Sequence, residues 1–283
     1  MRLSVLALFP VLPAALGCAG AVSGTSDGVD AEAITTTSAV VAIERTADSA
    51  EGSRAEASAR FIRVVAPSSA DDALRAIGAS LDLPASGSCA SLTSLASSPA
   101  TQAPVVELLD VGGITLQVDG VETRLGARQL PDVTDVVSGV VYARATDPSL
   151  LPTSMRYVIH VAGGEGLEPF DVNAAAPGDP GDVRIAGEDV PGTLVATGTT
   201  VDLSWPAEAD LAEDVVYVDV RPNGVRCVLD GATAGHGSVS TLFLDDTGTL
   251  VVHRLRRQAL AARGVDSGEV RFDFARTIVY VRR

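Results

Sequence analysis

The chain reads as mainly β: two antiparallel β-sandwich-like domains with one short helix near residues 70–82, preceded by a disordered tether. Three observations lead there. From Val105 onward apolar residues alternate with polar ones at a period of two, as half-buried strands require. Turn chemistry, in the form of Asp-Gly, Asn-Gly and Pro-Gly pairs, interrupts these runs at short intervals. A single segment carries a helical period together with a capping residue.

Residues 18–58 are rich in Ala, Ser, Thr, Gly, Asp and Glu and lack aromatics, so they read as a flexible tether. The run Ala39-Val40-Val41-Ala42-Ile43 is its one apolar stretch and could dock as an edge strand. Folding is expected to begin at residue 59, with Phe61–Val65 as the first strand of a β-rich domain over 59–175. Ser69 followed three residues later by Asp72 marks a helix start, and Leu74, Ile77 and Leu81 fall on one helical face that Pro84 ends. A Ser/Ala-rich loop to Pro104 carries Cys89. Strands are then expected at Val105–Leu109, Ile114–Val118, Val121–Leu125, Gly139–Ala145, Met155–Val161 and Pro169–Asn173. Asp119-Gly120 joins two of them as a hairpin.

The Pro-, Gly- and Asp-dense stretch Ala174 to Asp182 marks the internal boundary, with a second domain over 176–283. Its strands are expected at Val183–Ile185, Thr193–Ala196, Thr200–Trp205, Val215–Arg221, Arg226–Leu229, Ser240–Asp245, Thr249–Leu255, Glu269–Phe274 and Thr277–Val281. Val201, Leu203 and Trp205 alternate with Asp202 and Ser204, which places the single Trp on a core face. Leu203-Ser204-Trp205-Pro206 followed by Val216-Tyr217-Val218 resembles strands B and C of a fibronectin type III or immunoglobulin-like domain. The chain departs from that pattern in lacking the strand-F Tyr and a cysteine pair within this half.

The N-terminus carries an export signal. Arg2 precedes an apolar run from Leu3 to Leu16 broken by Ser4, Pro10 and Pro13. A membrane span needs about 20 apolar residues, so the run is a secretory h-region, with residues 1–17 as the signal peptide. Ala15-Leu16-Gly17-Cys18-Ala19 resembles the lipobox of bacterial lipoproteins, although Ala15 stands where that family more often has Leu. The resemblance implies cleavage before Cys18 and lipidation of its sulfur; the alternative is ordinary cleavage after Ala19-Gly20-Ala21 and a secreted soluble protein. Ala19, uncharged after the cysteine, favours the outer over the inner membrane in the same family. The order of a Leu-Pro…Cys loop, a Ser-Gly-Val-Val-Tyr strand, a Leu-Ser-Trp strand and an Arg-Phe-Asp-Phe strand is similar to exported lipoproteins of GC-rich Gram-negative bacteria, which implies fold and location only.

A net charge of −15 argues against bulk nucleic-acid binding. All 21 basic residues are Arg. Eight of them fall between Arg254 and Arg283, against only Asp266, Glu269 and Asp273. Arg254, Arg256, Arg257 and Arg263 are therefore a candidate patch for an anionic partner, either an envelope protein or an anionic polymer; equally, they could neutralise carboxylates of neighbouring strands. Three cysteines are present. With Cys18 lipidated, the remaining pair in an oxidising compartment points to a Cys89–Cys227 disulfide, the alternative being two buried thiols.

No GxSxG, HExxH, SxxK or phosphate-cradling Gly loop occurs, and no CxxC or Cys/His spacing suggests a metal. His160 has outward strand parity beside Arg156. His236 lies in the Gly-rich run Gly235-His236-Gly237-Ser238, which is permissive for ligand contact, and His253 shares parity with Val251 and Leu255, as a partly buried, hydrogen-bonded histidine would. Asp179-Pro180-Gly181-Asp182 and Asp245-Asp246-Thr247-Gly248 place carboxylates in turns, but without EF-hand spacing, and Asp favours turns for backbone reasons. No catalytic residue, cofactor or metal is therefore assigned. The expectation is a lipid-anchored, non-enzymatic module for binding, adhesion or envelope architecture, its partner being membrane lipid through Cys18. The alternative is a hydrolase or carbohydrate-active protein on a sandwich scaffold, whose paired acids would meet only in three dimensions.

Overall fold

The computed structural model describes residues 35–48, 52–66, 68–96, 104–133, 137–187, 192–206, 214–230 and 235–283. The signal peptide, Cys18 and the start of the expected tether lie outside the described residues. Strands β1 (Thr35–Asp48) and β2 (Arg54–Val65) pair antiparallel, from Thr35 opposite Val65 to Thr46 opposite Arg54. There follow β3 (Cys89–Ser91), β4 (Val106–Leu108), β5 (Ile114–Val118), β6 (Val121–Arg124), β7 (Gly126–Val133) and β8 (Val137–Thr146). Next come β9 (Arg156–Val161), β10 (Phe170–Ala175), β11 (Arg184–Ile185), β12 (Leu194–Ala196) and β13 (Thr200–Ser204). The last five are β14 (Asp214–Arg221), β15 (Val225–Val228), β16 (His236–Ser240), β17 (Thr247–Ala259) and β18 (Ser267–Arg282).

Among the described residues these strands build one long sheet and two short ones. The long sheet runs β3-β15-β14-β17-β18-β1-β2-β4-β8-β7, with β12 pairing β18 beyond the point where β1 ends. The short sheets are β10-β9-β5-β6 and β11-β13-β16. Strand parity explains how both pack on it. On β18 the even-numbered side chains share one face; Val270, Phe272 and Phe274 enter one core, and Ile278 and Tyr280 enter another. The first core sets Val41, Ile43, Ala57, Ala59 and Phe61 against Ile114, Leu116, Tyr157 and Ile159 of the four-stranded sheet. The second sets Val216, Val218, Leu250 and Val252 against Val201, Leu203, Trp205 and Val239. Two sandwiches thus share one continuous sheet.

The opposite face of the long sheet is covered by local structure. Helix α1 (Ala70–Ala76) lays Ala73, Leu74 and Ile77 over Ile62, Val64, Val106 and Leu108. An extended strap, residues 79–88, brings Leu81 and Leu83 onto Tyr217, Val228 and Leu255. The short helix α2 (Leu92–Leu95) follows β3 within the stretch expected to be a loop.

Four expectations change. The tether assigned to 18–58 contains β1 and the start of β2, and β1 is interior rather than an edge: it pairs with β18 on one side and β2 on the other. Its small residues fit because their faces meet Phe272, Phe274 and Phe61, which fill the space. The expected boundary at 175/176 is crossed by the first core, which takes in Ala176, Leu260, Val270, Phe272 and Phe274, and Ile34–Arg283 is one compact unit. The helix ends at Ala76 rather than 82, since Gly78 adopts φ +66° and Ala79 N–H bonds back to Leu74 O at 2.7 Å, a left-handed stop. The expected strand Ser240–Asp245 is a 3-10 turn over Thr241–Phe243 capped by Ser240, and the expected strands at 269–274 and 277–281 are one.

Candidate functional site

The arginine-rich C-terminal segment does not form a common patch. Parity sends Arg254 and Arg256 inward, where they are buried at the junction of the two cores, while Arg257 emerges on the opposite face and Arg263 is exposed beside Glu168 at 2.9 Å. The inner pair converges on buried Asp214: Arg256 grips it through Nε and Nη2, and Arg254 Nη2 lies 3.5 Å from Oδ2. Arg256 Nη1 also donates to Ala175 O and Ala176 O at 3.2 Å each, tying the connection between the sandwiches to the shared sheet. On the other face Arg271, Arg257 and Arg226 donate to Ala79 O, Leu81 O and Asp82 O at 3.0, 2.6 and 3.1 Å, stapling the strap. A guanidinium, with five donors in a fork, can hold a carboxylate and a carbonyl at once; an ammonium offers no such geometry. Part of the segment's positive charge thus sits inside the fold, on Arg254, Arg256 and Arg271.

Beneath the strap lies a buried polar network. His253 stacks on Tyr217 with ring centroids 4.1 Å apart, and its Nδ1 meets Asp273 Oδ1 at 2.8 Å. The Tyr217 hydroxyl donates to Asp273 Oδ2 at 2.6 Å, and Arg226 forks onto Asp219 at 2.7 and 2.8 Å while covering the Tyr217 ring. Burial alone would push the Asp273 carboxyl up, but His253, the Tyr217 hydrogen bond and Arg271 together hold it below the usual carboxylate range. Burial, and next Asp273 itself, push the Tyr217 phenol well above its ordinary value. His253 is thus a hydrogen-bonded, mostly buried histidine. His160, exposed on β9, meets Asp171 at 2.6 Å.

The third histidine faces a cleft. Cys89 and Cys227 are directly opposed on β3 and β15 and form a disulfide across 138 residues of sequence. Beside it opens a cleft of about 700 Å³, bordered by Asp202, Ser204, His236, Ser238 and Asp230; Leu203, Val228 and Cys227, which also line it, keep their side chains buried in the cores. The β13–β16 register sets Asp202 opposite Ser238 and Ser204 opposite His236. Gly87, at φ +72°, lets the strap end pass close to Asp230, where an added Cβ would sit 3.3 Å from the Asp230 Cβ. The rim of the cleft is polar, made of carboxylates, hydroxyls and an imidazole, which together accept and donate hydrogen bonds. Of these groups the sequence singled out only His236; Asp202 reads as an ordinary outward strand position, and Asp230 enters only through the fold.

One of the turn carboxylates has a structural duty. Asp179 Oδ1 accepts from Gly181 N–H at 2.7 Å, and Oδ2 lies 3.5 Å from Arg45. Among the described residues no three His, Cys, Asp or Glu side chains converge as metal ligands.

No family model and no curated protein matches the chain. Solved structures do, at low likeness. The mouse nectin-like molecule 4 ectodomain (Ig1–Ig3) is 9% identical, with 88% of this chain and 66% of that one covered, at a TM-score of 0.22. The Fcho1 Mu homology domain of Danio rerio with bound Eps15 peptide is 12% identical over 88% of this chain and 97% of that one, at 0.20. Immunoglobulin domains 1–4 of Sidekick-1 are 12% identical over 82% and 62%, at 0.17. Superpositions this loose carry no argument about function.

Proposed function

We propose that this is an exported protein, anchored by lipid on Cys18 to a membrane, the outer rather than the inner, that acts as a non-enzymatic binding, adhesion or envelope-structural module. The observation that carries the reading is the Cys89–Cys227 disulfide. Disulfides persist in oxidising compartments, and this pair leaves Cys18, within its lipobox-like setting, as the one cysteine over. The binding role draws support from the cleft beside the disulfide, a concave surface bordered by several polar side chains. The His253–Asp273–Tyr217 constellation, the arrangement closest to acid–base machinery, lies beneath the strap, with Asp273 bonded to both the imidazole Nδ1 and the phenol.

Labelled palmitate should enter the wild-type chain in cells, and Cys18→Ala should abolish the label; incorporation unchanged by that substitution would remove the anchor. Affinity capture from envelopes solubilised in several mild detergents should return a specific partner, and repeated recovery of none would count against the binding role. The cross-strand pairing of Ser204 with His236 in the cleft favours one second reading, a hydrolase. Turnover of ester or glycoside substrates that is lost in Ser204→Ala and His236→Ala would establish it instead.

A further inference from the structure

The chain has two asparagines, Asn173 and Asn223, and they sit in opposite settings. Asn173 lies within β10, opposite Val158 of β9, and the residue after it, Ala174, is buried in the first core. Its backbone is held on the ladder, and its neighbour carries a packed side chain. Asn223 is exposed in the turn between β14 and β15, and Gly224 follows it. A Cβ added at Gly224 would meet nothing nearer than Pro222 O at 4.0 Å, so the space beside this backbone is open. Gly224 has φ +63°, a conformation that glycine enters without strain. The turn carries two tertiary bonds. Asn223 Nδ2 donates to Phe243 O at 2.8 Å, fastening the 3-10 turn Thr241–Phe243, and Leu92 N–H, at the start of α2, donates to Gly224 O at 2.7 Å.

Asparagine is a chemically labile residue, and it is most so where the next backbone nitrogen can reach its Cγ unhindered by a side chain. We propose that Asn223 is a deamidation site, modified through attack by the Gly224 nitrogen, and that Asn173 is not. The bond between Gly224 N and Asn223 Cγ forms, the Cγ–Nδ2 bond breaks, and the Gly224 amide proton leaves with Nδ2 as ammonia. Water then opens the cyclic imide at either carbonyl. One opening gives aspartate, the other isoaspartate, in which the side-chain methylene joins the main chain. Nothing is oxidised or reduced, and solvent water is the only co-reactant. The product no longer donates to Phe243 O but sets a carboxylate against that carbonyl, so the fastening of the Thr241–Phe243 turn is lost. In isoaspartate the added methylene also lengthens the connection between β14 and β15, beside the bond from Leu92.

The test is incubation of the folded, detergent-solubilised full chain in mildly alkaline buffer, with peptide mapping by mass spectrometry over time. The Asn223 peptide should show the mass shift of an amide nitrogen replaced by oxygen, gain one negative charge and become a methyl acceptor for an isoaspartate O-methyltransferase. These signals should grow with time and with pH, while the Asn173 peptide stays unchanged. Asn223→Ser should remove them. Asn223→Asp reproduces the aspartate product, and amide exchange in residues 241–243 should be faster in it than in wild type. An Asn223 peptide that keeps its amide while a urea-denatured control loses it would overturn the proposal, by showing that the bond to Phe243 O closes the site. Conversion of Asn173 at the same rate in the folded chain would overturn it equally, since neither the turn nor Gly224 would then set the rate. Unchanged exchange at 241–243 in Asn223→Asp would remove the loss of the fastening.

Discussion

Asp214 has two carboxylate oxygens and serves two buried arginines, and that ratio decides what its loss does. Replacing it by Ala leaves two guanidiniums at the junction of the cores with no counter-charge, which should lower unfolding free energy by about 3–5 kcal/mol in urea titrations. The triple change Asp214→Leu, Arg254→Met and Arg256→Met should recover most of that loss, since a packed apolar cluster of similar volume replaces a buried ion pair at little cost. A triple variant as unstable as the single would show that the arginines also hold the connection at Ala175 and Ala176 in a way packing cannot replace. Asp273 supplies a pH signature. Its folded-state pKa lies below the usual carboxylate value, so its contribution to stability is complete above about pH 4 and drains away as pH falls through the depressed value. Urea midpoints between neutral and acid pH should therefore fall less steeply for Asp273→Asn than for wild type; parallel acid limbs would discount the network. Arg254 and Arg256 share parity with Leu250 and Val252, but Val251 and Leu255 make the other face equally apolar, so the run by itself does not say that these arginines turn inward. The identity of their partner was not readable, because Asp214 lies about forty residues away in sequence and only the β14–β17 register sets it opposite Arg256.

At the scale of elements, local signals worked where local chemistry decides and failed where partners do. Ser69 caps α1 as its spacing with Asp72 implies: Asp72 N–H donates to Ser69 Oγ at 3.1 Å, and the hydroxyl bonds the Asp72 carboxylate at 2.7 Å. Ser69→Ala should cost about 1 kcal/mol in thermal or urea unfolding; no change would mean that packing of Ala73 alone sets the helix start. The Asp119-Gly120 hairpin is also as read, both residues having positive φ. By contrast β1 is an Ala-, Ser- and Thr-rich run whose burial comes from β18, more than two hundred residues on, and nothing within its own window announces that. The strap shows the same limit. Leu81 keeps the helical spacing of Leu74 and Ile77, yet the stop at Gly78 hands it to a different cluster under Tyr217 and Leu255. Its fastenings can be tested together. Reducing the Cys89–Cys227 disulfide removes a constraint on a loop of 138 residues and should lower stability by roughly 3–5 kcal/mol. Amide exchange should accelerate first in residues 79–91 and 225–228. Acceleration spread evenly over both sandwiches would mean that the disulfide supports the whole sheet rather than the strap and its neighbour.

For the whole molecule, the shared sheet sets the cooperativity. The fold class and the two-core organisation follow from alternation and from the Pro/Gly stretch before residue 183, but the sequence contains no mark that β17 and β18 are each continuous across both cores. Val270, Phe272 and Phe274 of β18, with Leu260 just past the end of β17, stabilise one sandwich, while Leu250 and Val252 of β17 and Ile278 and Tyr280 of β18 stabilise the other. Neither core can lose these strands without exposing its share of that surface, and each buried large apolar side chain contributes about 1.5–3 kcal/mol. Unfolding of one sandwich therefore destabilises the other directly. Differential scanning calorimetry should show one transition whose van't Hoff and calorimetric enthalpies agree, as for a single cooperative unit. Two resolved transitions, or a folded fragment ending at residue 176, would mean that the sandwiches are energetically independent despite the common sheet. The fragment is the sharper arm: without β18, β1 loses its parallel partner over the eleven paired positions from Ser38 to Asp48, and the first core loses two of the three phenylalanines that fill the space beside its alanines, Phe272 and Phe274.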